Sequence, residues 1–209
     1  MGLSPITMAD DATKSRSLHC VARWQPDARD RLALAALDLF AERGYENTTV
    51  IEIAERAGLT KSTFFRHFPD KREVLSGGNT MPRLLVDAIA AAPAEAGPLE
   101  AVAQALDAAG QKVFVPARRD FGVRRRAVIA ASAELQEREA LKGLGLVASI
   151  AEALRQRGVA EMTAQMAAQT GALTLKLAYD RWLDPGNEAE FGQVARRTLA
   201  ELQTAAAAC

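Results

Sequence analysis

Apolar residues recur at every third or fourth position over most of the chain, which is the spacing that lines one side of an α-helix. The first such stretch lies between Asp27, a residue type that caps helix N-termini, and Gly44, a type that ends helices. Alanine is the commonest residue and aromatic residues make up only 5%, a composition that favours helices. The pattern predicts an all-α protein, with its later helices over 99–115, 116–135, 139–157, 161–183 and 187–206.

Polar residues that follow the first predicted helix divide the next segment into short helices. Thr49 and Glu52 have the spacing of a capping box, in which each side chain binds the other residue's backbone N–H group, and this starts a helix. The segment 58–60, Gly-Leu-Thr, interrupts that helix, and its Thr caps another helix over 61–67. Two short helices joined by a tight turn containing glycine have the helix-turn-helix pattern, whose second helix enters the major groove of DNA.

A second capping box, Asp70 with Glu73, predicts a longer fourth helix. Gly77-Gly78-Asn79 weakens that helix early, and we expect a bend or a loosened turn there before the helix continues to about Ala92. Residues 93–98 begin and end with proline and predict a linker. The predicted organisation is a disordered arm over 1–26, a helix-turn-helix DNA-binding domain over 27–75 and a second helical domain over 76–209.

The third predicted helix presents a local basic surface. Lys61, Ser62 and Arg66 lie on its outer side, with Thr63 beside them. The whole chain has 26 basic and 26 acidic residues, so any contact with DNA has to come from a local patch. Residues 61–72 form such a patch, because they include four basic residues and one acidic residue. The alternative is a solvated face on a small helical bundle that does not bind DNA.

Three further motifs follow one another within residues 29–75. They are Ala41-Glu42-Arg43-Gly44-Tyr45, then Thr48-Thr49-Val50 with Ile53-Ala54 and Ala57-Gly58, and finally Thr63-Phe64-Phe65-Arg66-His67-Phe68 with Lys71 and Leu75. Together they resemble the DNA-binding domain of the TetR family of transcriptional regulators. The resemblance implies a homodimer that binds a palindromic operator in double-stranded DNA and is released from it by a small ligand.

The resemblance also implies which side chains contact DNA. Thr49 corresponds to a phosphate contact at a helix N-terminus, and positions 61–63 face bases or nearby phosphates. The positions of Phe65, His67 and Lys71 line the DNA backbone. The family usually has Tyr at the position of Phe65, so that hydroxyl-to-phosphate bond is absent here. The predicted DNA contacts are therefore Thr49, Lys61, Ser62, Thr63, Phe65, Arg66, His67 and Lys71.

The Phe64-Phe65-Arg66 variant, followed by Pro69, resembles a TetR subgroup that includes regulators associated with acyl-CoA-type ligands. We therefore expect the second domain to bind a small, largely apolar ligand with an anionic head, such as an acyl-CoA. Arg125 in the run 124–126 would pair with the head, although such a run is more often a solvated helix face. Aromatic residues and methionines at helical spacing are also common in cores. The candidate ligand contacts are Phe114, Phe121, Arg125, Met162, Met166 and Trp182.

The last two predicted helices have features of a contact between chains. The helix over 161–183 is apolar on two sides, with Met162 and Met166 in one stripe and small residues such as Ala164 and Gly171 in the other. Either both sides are covered within the chain, or one side packs against the partner in the homodimer that the resemblance implies. The predicted interface residues are Ala164, Ala168, Gly171, Leu175, Phe191, Val194, Leu199 and Leu202.

Other function classes have less support in the sequence. No apolar run approaches the roughly 20 residues that a membrane-spanning helix needs. Cys20 and Cys209 lie near opposite ends, which fits a reducing cytoplasm rather than a disulfide framework or a metal cluster. No metalloprotease, serine hydrolase or nucleotide-binding motif appears, so we expect no enzyme activity, cofactor or metal. The sequence thus predicts a cytoplasmic, ligand-responsive repressor; the alternative is a helical small-molecule-binding protein or enzyme whose helix-turn-helix is only structural.

Overall fold

The computed structural model describes residues 27–76 and 78–208, and the arm predicted over 1–26 lies outside the described residues. Within them the regular secondary structure is helical throughout, which confirms the all-α prediction. No described helix is both long enough and apolar enough to cross a membrane. Two 3₁₀ turns, Lys71–Glu73 and Pro116–Arg118, accompany the α-helices. The α-helices are α1 Ala28–Arg43, α2 Val50–Arg56, α3 Lys61–His67, α4 Thr80–Ala91, α5 Pro98–Lys112, α6 Arg119–Ala130, α7 Ala133–Gln156, α8 Glu161–Trp182 and α9 Phe191–Ala208.

Helices α2 and α3 begin where the sequence predicts, because polar side chains cap them. The Glu52 N–H group donates to the Thr49 hydroxyl at 3.3 Å, and the Thr49 N–H group donates to the Glu52 carboxylate at 2.8 Å. The Thr60 hydroxyl accepts a hydrogen bond from the Thr63 N–H group at 3.1 Å. Each such cap contributes about 1 kcal/mol to helix stability. These two short helices therefore have defined first residues.

The fourth helix begins later than the sequence predicts. Asp70 accepts a hydrogen bond from the Glu73 N–H group at 3.1 Å, but it caps only the 3₁₀ turn, and α4 starts at Thr80. The intervening chain includes Gly78 with a φ of +61°, which a right-handed helix does not accommodate. The Glu73 carboxylate is buried and pairs with Arg138 of α7 instead of completing the capping box. The predicted loosening near Gly78 is therefore a full separation between two elements.

The boundary between α6 and α7 also differs from the prediction. The single helix predicted over 116–135 is interrupted, because α6 ends at Ala130 and α7 begins at Ala133. The Ser132 hydroxyl caps α7 by accepting a long hydrogen bond from the Leu135 N–H group at 3.5 Å. Ser132 stands among good helix formers, so local propensity does not predict a helix end there, but its side chain caps the start of a new helix.

Helix α9 starts at Phe191, a few residues later than the predicted position next to Asn187. Asn187 does not cap it directly. Its side-chain amide donates to the carbonyls of Trp182 and Ala189 at 3.4 and 3.0 Å, and its side-chain oxygen accepts from the Ala189 N–H group. These bonds stabilise the loop between α8 and α9, so α9 begins at Phe191, where this loop ends.

The apolar side chains form two cores. The first core joins α1, α2 and α3 with Val74 and Leu75, and it extends to Val128 of α6 and Leu135 of α7. The second core is built from α4, α5, α7, α8 and α9. Because α7 contributes to both cores, the helix-turn-helix region rests directly on the second half of the chain.

Charged side chains of α6 and α7 bind the helix-turn-helix region across the junction of the two cores. The Arg125 guanidinium donates to the Leu75 carbonyl at 2.6 Å and to the Glu139 carboxylate at 2.6 Å. The Lys142 ammonium donates to the Ser76 carbonyl. Arg125 is thus bonded within the chain and does not lie on a solvated helix face, while its predicted ligand contact stays a prediction.

The other residues predicted to contact a ligand do not share one cavity. Phe121 packs against the first core. Phe114 and Trp182 belong to an aromatic cluster beside the second core, with ring centroids 5.9 Å apart. Met162 and Met166 lie on the outer side of α8 and are 74% and 62% exposed. Met162 and Met166 therefore lie apart from the aromatic cluster, because helical spacing alone does not distinguish core residues from surface residues, and the ligand contact stays a prediction.

The predicted contact between chains also needs correction. A Cβ atom added at Gly171 would lie 2.6 Å from a Val102 methyl group, so the small residues of α8 allow it to approach α5 of the same chain. Leu175 and Leu202 remain partly exposed. The prediction is wrong for the six residues that are buried within the chain, which are Ala164, Ala168, Gly171, Phe191, Val194 and Leu199.

Candidate nucleic-acid interface

Helix α3 is anchored by buried aromatic side chains on its inner side. Phe64 and Phe68 lie in the first core, with ring centroids 5.5 Å apart. The turn before α3 contains Gly58 with a φ of +66°, a left-handed conformation that glycine adopts at little steric cost. The Arg31 side chain of α1 donates to the Ala57 carbonyl beside this turn. These contacts fix the angle between α2 and α3, and they leave the outer side of α3 for a binding partner.

The outer side of α3 collects most of the residues that the sequence predicts to contact DNA. No residue of α3 is acidic. The Arg66 guanidinium donates one hydrogen bond to the Thr63 hydroxyl at 3.3 Å. Arginine, lysine and hydroxyl groups are the usual donors to phosphates and base edges, so this surface is suited to both. The exposed side chains are Lys61, Ser62, Phe65 and Arg66, and the partly exposed ones are Thr63 and His67.

Thr49 stands at the start of α2, where a phosphate contact is predicted. Its N–H group and its hydroxyl both donate to the Glu52 carboxylate at 2.8 Å, and these bonds hold the pKa of Glu52 below its usual value. Arg43 pairs with the other carboxylate oxygen at 2.8 Å. A carboxylate therefore already occupies the donors that a phosphate would use. A phosphate contact at Thr49 requires the Glu52 side chain to move aside.

Lys71 lies outside α3, in the 3₁₀ turn. Its ammonium donates to the carbonyls of Tyr45 and Thr48 at 2.8 and 3.1 Å, and it lies 3.9 Å from the centroid of the Tyr45 ring. These contacts hold the turn between α1 and α2. An ammonium has three donors, so this lysine has one donor beyond these two bonds for a phosphate.

Sequence reasoning missed a contact between the helix-turn-helix region and the second half of the chain. The Tyr45 hydroxyl donates to the Glu134 carboxylate at the start of α7, at 2.9 Å. Burial, and then the bond to Glu134, raise the pKa of Tyr45 above its usual value. The two residues are 89 positions apart in the sequence, so no local spacing rule connects them. This contact ties the end of α1 to the second half of the chain.

Comparisons with known proteins relate the region of the first three helices to a family of regulators. The family profile described as "Bacterial regulatory proteins, tetR family" matches residues 33–76. The chain is 42% identical over 81 residues to the HTH-type transcriptional regulator TcmR of Streptomyces glaucescens, and this segment is 38% of this chain and 36% of TcmR. The chain thus covers only about a third of the length of this curated relative.

Solved structures resemble most of the chain. A TetR-family regulator from Streptomyces coelicolor A3 aligns with a TM-score of 0.51 at 20% identity, over 87% of this chain and 97% of that chain. NalD, the secondary repressor of the MexAB-OprM multidrug efflux pump in Pseudomonas aeruginosa, aligns with a TM-score of 0.53 at 19% identity, over 85% and 94% of the two chains. Similarity at this level of identity establishes the fold and not a shared partner. Residues 33–76 therefore match the profile of the tetR family of bacterial regulatory proteins, and the helical fold of the chain resembles that of solved TetR-type regulators.

Proposed function

We propose that the chain is a ligand-responsive transcriptional regulator, a repressor that binds a palindromic operator as a homodimer. The outer side of α3 carries the proposal. Lys61, Ser62 and Arg66 project there from a helix whose inner side is anchored in the first core. A rigid helix with cationic and hydroxyl side chains, and without acidic ones, is suited to the major groove.

Selection of DNA by the purified protein tests this proposal. Genomic fragments that the protein retains are sequenced, and the shared motif is then measured against a scrambled duplex of equal length and composition. We expect a palindromic motif whose affinity exceeds that of the scrambled duplex by about 10³-fold or more. Equal affinity for both duplexes at every salt concentration would contradict the proposal and favour a protein whose helix-turn-helix is only structural.

The surface for a second copy is the outer side of α8. Met162, Met166 and Leu173 are exposed there, and two of them are more than half exposed. Met166 and Leu173 line a groove of about 540 Å³ at this surface, together with residues from the start of α5 and the end of α9. A two-fold axis brings the same surface of both copies together, which is the usual symmetry of homodimers and places two recognition helices on one operator. We therefore assign the dimer contact to this surface.

The effector is proposed as a small, largely apolar molecule. The choice of acyl-CoA as the ligand class rests on the resemblance of Phe64-Phe65-Arg66 to one TetR subgroup. The six predicted ligand contacts give it no further support. A ligand that binds the folded protein raises its melting temperature. Acyl-CoAs of several chain lengths, with CoA alone as the control, are therefore tested for a raised melting temperature and for release of the operator. A series in which no chain length changes either quantity would remove this ligand class.

A further inference from the structure

An apolar ring stands in the middle of the polar outer side of α3. Phe65 is 47% exposed, although its neighbour Phe64 is fully buried. Lys61 lies one helical turn before Phe65 and Arg66 lies directly after it, and both are exposed. Large apolar side chains on such a surface gain stability only when another apolar group covers them.

The Phe65 ring is held in a defined position. Its edge packs against the ring of Phe64, with centroids 5.5 Å apart and an interplanar angle of 79°. The Lys61 ammonium lies 6.0 Å from the centroid of the Phe65 ring on the outer side. Because Phe64 is itself buried in the first core, this contact holds one edge of the Phe65 ring against the helix and leaves its outer side open to a partner.

The chemistry of the major groove identifies the partner of this ring. Base edges there present hydrogen-bond donors and acceptors, and the C5 methyl group of thymine is the apolar feature that distinguishes one base from the others. Phe65 has no polar atom on its side chain, so it cannot bond a phosphate. The cationic neighbours of Phe65 attract the DNA backbone without covering the ring.

We propose that Phe65 is a specificity-determining residue that contacts the C5 methyl group of a thymine in each half-site. This proposal rests on the proposed function, because it requires α3 to enter the major groove of an operator. It differs from the backbone position that the family resemblance implies for Phe65. The structure supports the thymine contact through the exposure of Phe65, its contact with the buried Phe64 ring and its place between the exposed Lys61 and Arg66.

Replacement of single thymines by deoxyuridine tests the contact, because it removes only the methyl group. Each thymine of the selected operator is replaced in turn, symmetrically in both half-sites, and the affinity of the full chain is measured. Burial of one such group corresponds to about a fourfold change in affinity per half-site. Because both half-sites are changed together, we expect a loss of about 15-fold at one symmetric pair of thymines and little change at the others.

Three variants assign the methyl effect to a side chain. Phe65→Ala should abolish the difference between thymine and deoxyuridine at that position, whereas Phe65→Leu should retain part of it because leucine is also apolar. Ile51→Ala is the matched control, since Ile51 is the other large apolar side chain exposed on the helix-turn-helix, at 48%. It should leave the difference unchanged. Melting curves check that each variant is folded.

The outcomes separate this inference from the proposed function. If the wild type prefers its operator but no deoxyuridine replacement lowers affinity, the thymine contact is wrong and the regulator proposal stands. The contact is also wrong if Phe65→Ala weakens all duplexes equally and keeps the methyl effect, because Phe65 then packs on the backbone. If the wild type shows no preference for any duplex, the proposed function itself fails.

Discussion

Lys61 and Lys71 are both lysines of the helix-turn-helix region, yet their surroundings differ. The Lys61 side chain is exposed at the first position of α3. The Lys71 ammonium is bonded to two backbone carbonyls and lies above an aromatic ring. The same residue type therefore has a surface role in one place and a structural role in the other. At the scale of single residues, this difference leads to two predictions.

Replacing Lys61 with alanine should reduce operator affinity and relax the base preference. A lysine with a good base contact contributes about 1–3 kcal/mol of discrimination. Fluorescence anisotropy with operator and scrambled duplexes over a salt series measures both effects. Lys112→Ala, an exposed lysine at the end of α5, is the control and should change neither quantity. Equal losses on both duplexes for Lys61→Ala would show that this lysine does not read bases.

Replacing Lys71 with alanine should lower the stability of the fold. Removal of the ammonium leaves the carbonyls of Tyr45 and Thr48 without these bonds, and hydrogen bonds to charged groups contribute about 1.5–3 kcal/mol each at most. Part of that is recovered from water, so we expect a loss of about 1–2 kcal/mol in the free energy of unfolding by urea. Lys61→Ala is the matched control. Unchanged stability with a flatter salt dependence of DNA binding would make Lys71 chiefly a phosphate contact.

At the scale of elements, α7 is the helix that connects the two cores. Its side chains Glu134, Arg138 and Lys142 reach the helix-turn-helix region through the Tyr45 hydroxyl, the Glu73 carboxylate and the Ser76 carbonyl. The burial of Lys142 lowers its pKa below the usual value, which indicates how far these contacts are withdrawn from water. The junction between the two cores thus includes a set of polar contacts that join α7 to the end of α1 and to the chain just before α4.

Removal of Arg138 should destabilise this junction. The Glu73 carboxylate is buried, so Arg138→Ala leaves a negative charge with only the more distant Lys142 ammonium at 4.0 Å. We expect a loss of about 1–3 kcal/mol in the free energy of unfolding, because a buried charged group loses its bonding partner. The control is Arg83→Ala, which breaks an exposed pair with Asp87 at 3.9 Å and should cost less than about 0.5 kcal/mol. Equal effects of the two variants would contradict the structural role of Arg138.

At the scale of the whole molecule, assembly depends on which side of α8 the chain leaves exposed. The small-residue stripe faces α5, where Gly171 meets Val102, and the stripe with Met162 and Met166 faces outward. The outward stripe is therefore the one that a second copy can reach. This reverses the expectation from sequence, in which Gly171 faced a partner.

Met166→Glu should convert dimers to monomers, because it would place a charge in the apolar contact between copies. Sedimentation at micromolar concentration measures the change. Val123→Glu, at an exposed position on α6, is the matched control and should leave the dimer intact. A wild-type monomer would contradict the dimer itself, whereas a dimeric Met166→Glu variant would show that another surface is used. Gly171→Glu should instead lower folding stability, since its Cβ atom already meets Val102 at 2.6 Å.

The sequence by itself determined the helices of the helix-turn-helix region and the outer side of α3. The bonds that start α2 and α3 join residues only three positions apart, such as Thr49 and Glu52, so their spacing is visible without a fold. Apolar periodicity then placed Phe64 inside and Lys61 outside. The all-helical class followed from the same local regularities.

The tertiary structure alone decided which of two apolar stripes of α8 lies inside, and which charged residues are already bonded within the chain. Both questions depend on groups far away in the sequence, such as Val102 for Gly171 and Leu75 for Arg125. A helix with two apolar sides satisfies the same periodicity whichever side is buried. An arginine likewise has the same local pattern whether its partner is solvent, a ligand or a backbone carbonyl. Only the packing of distant elements selects between these arrangements, because it determines which surface is removed from water.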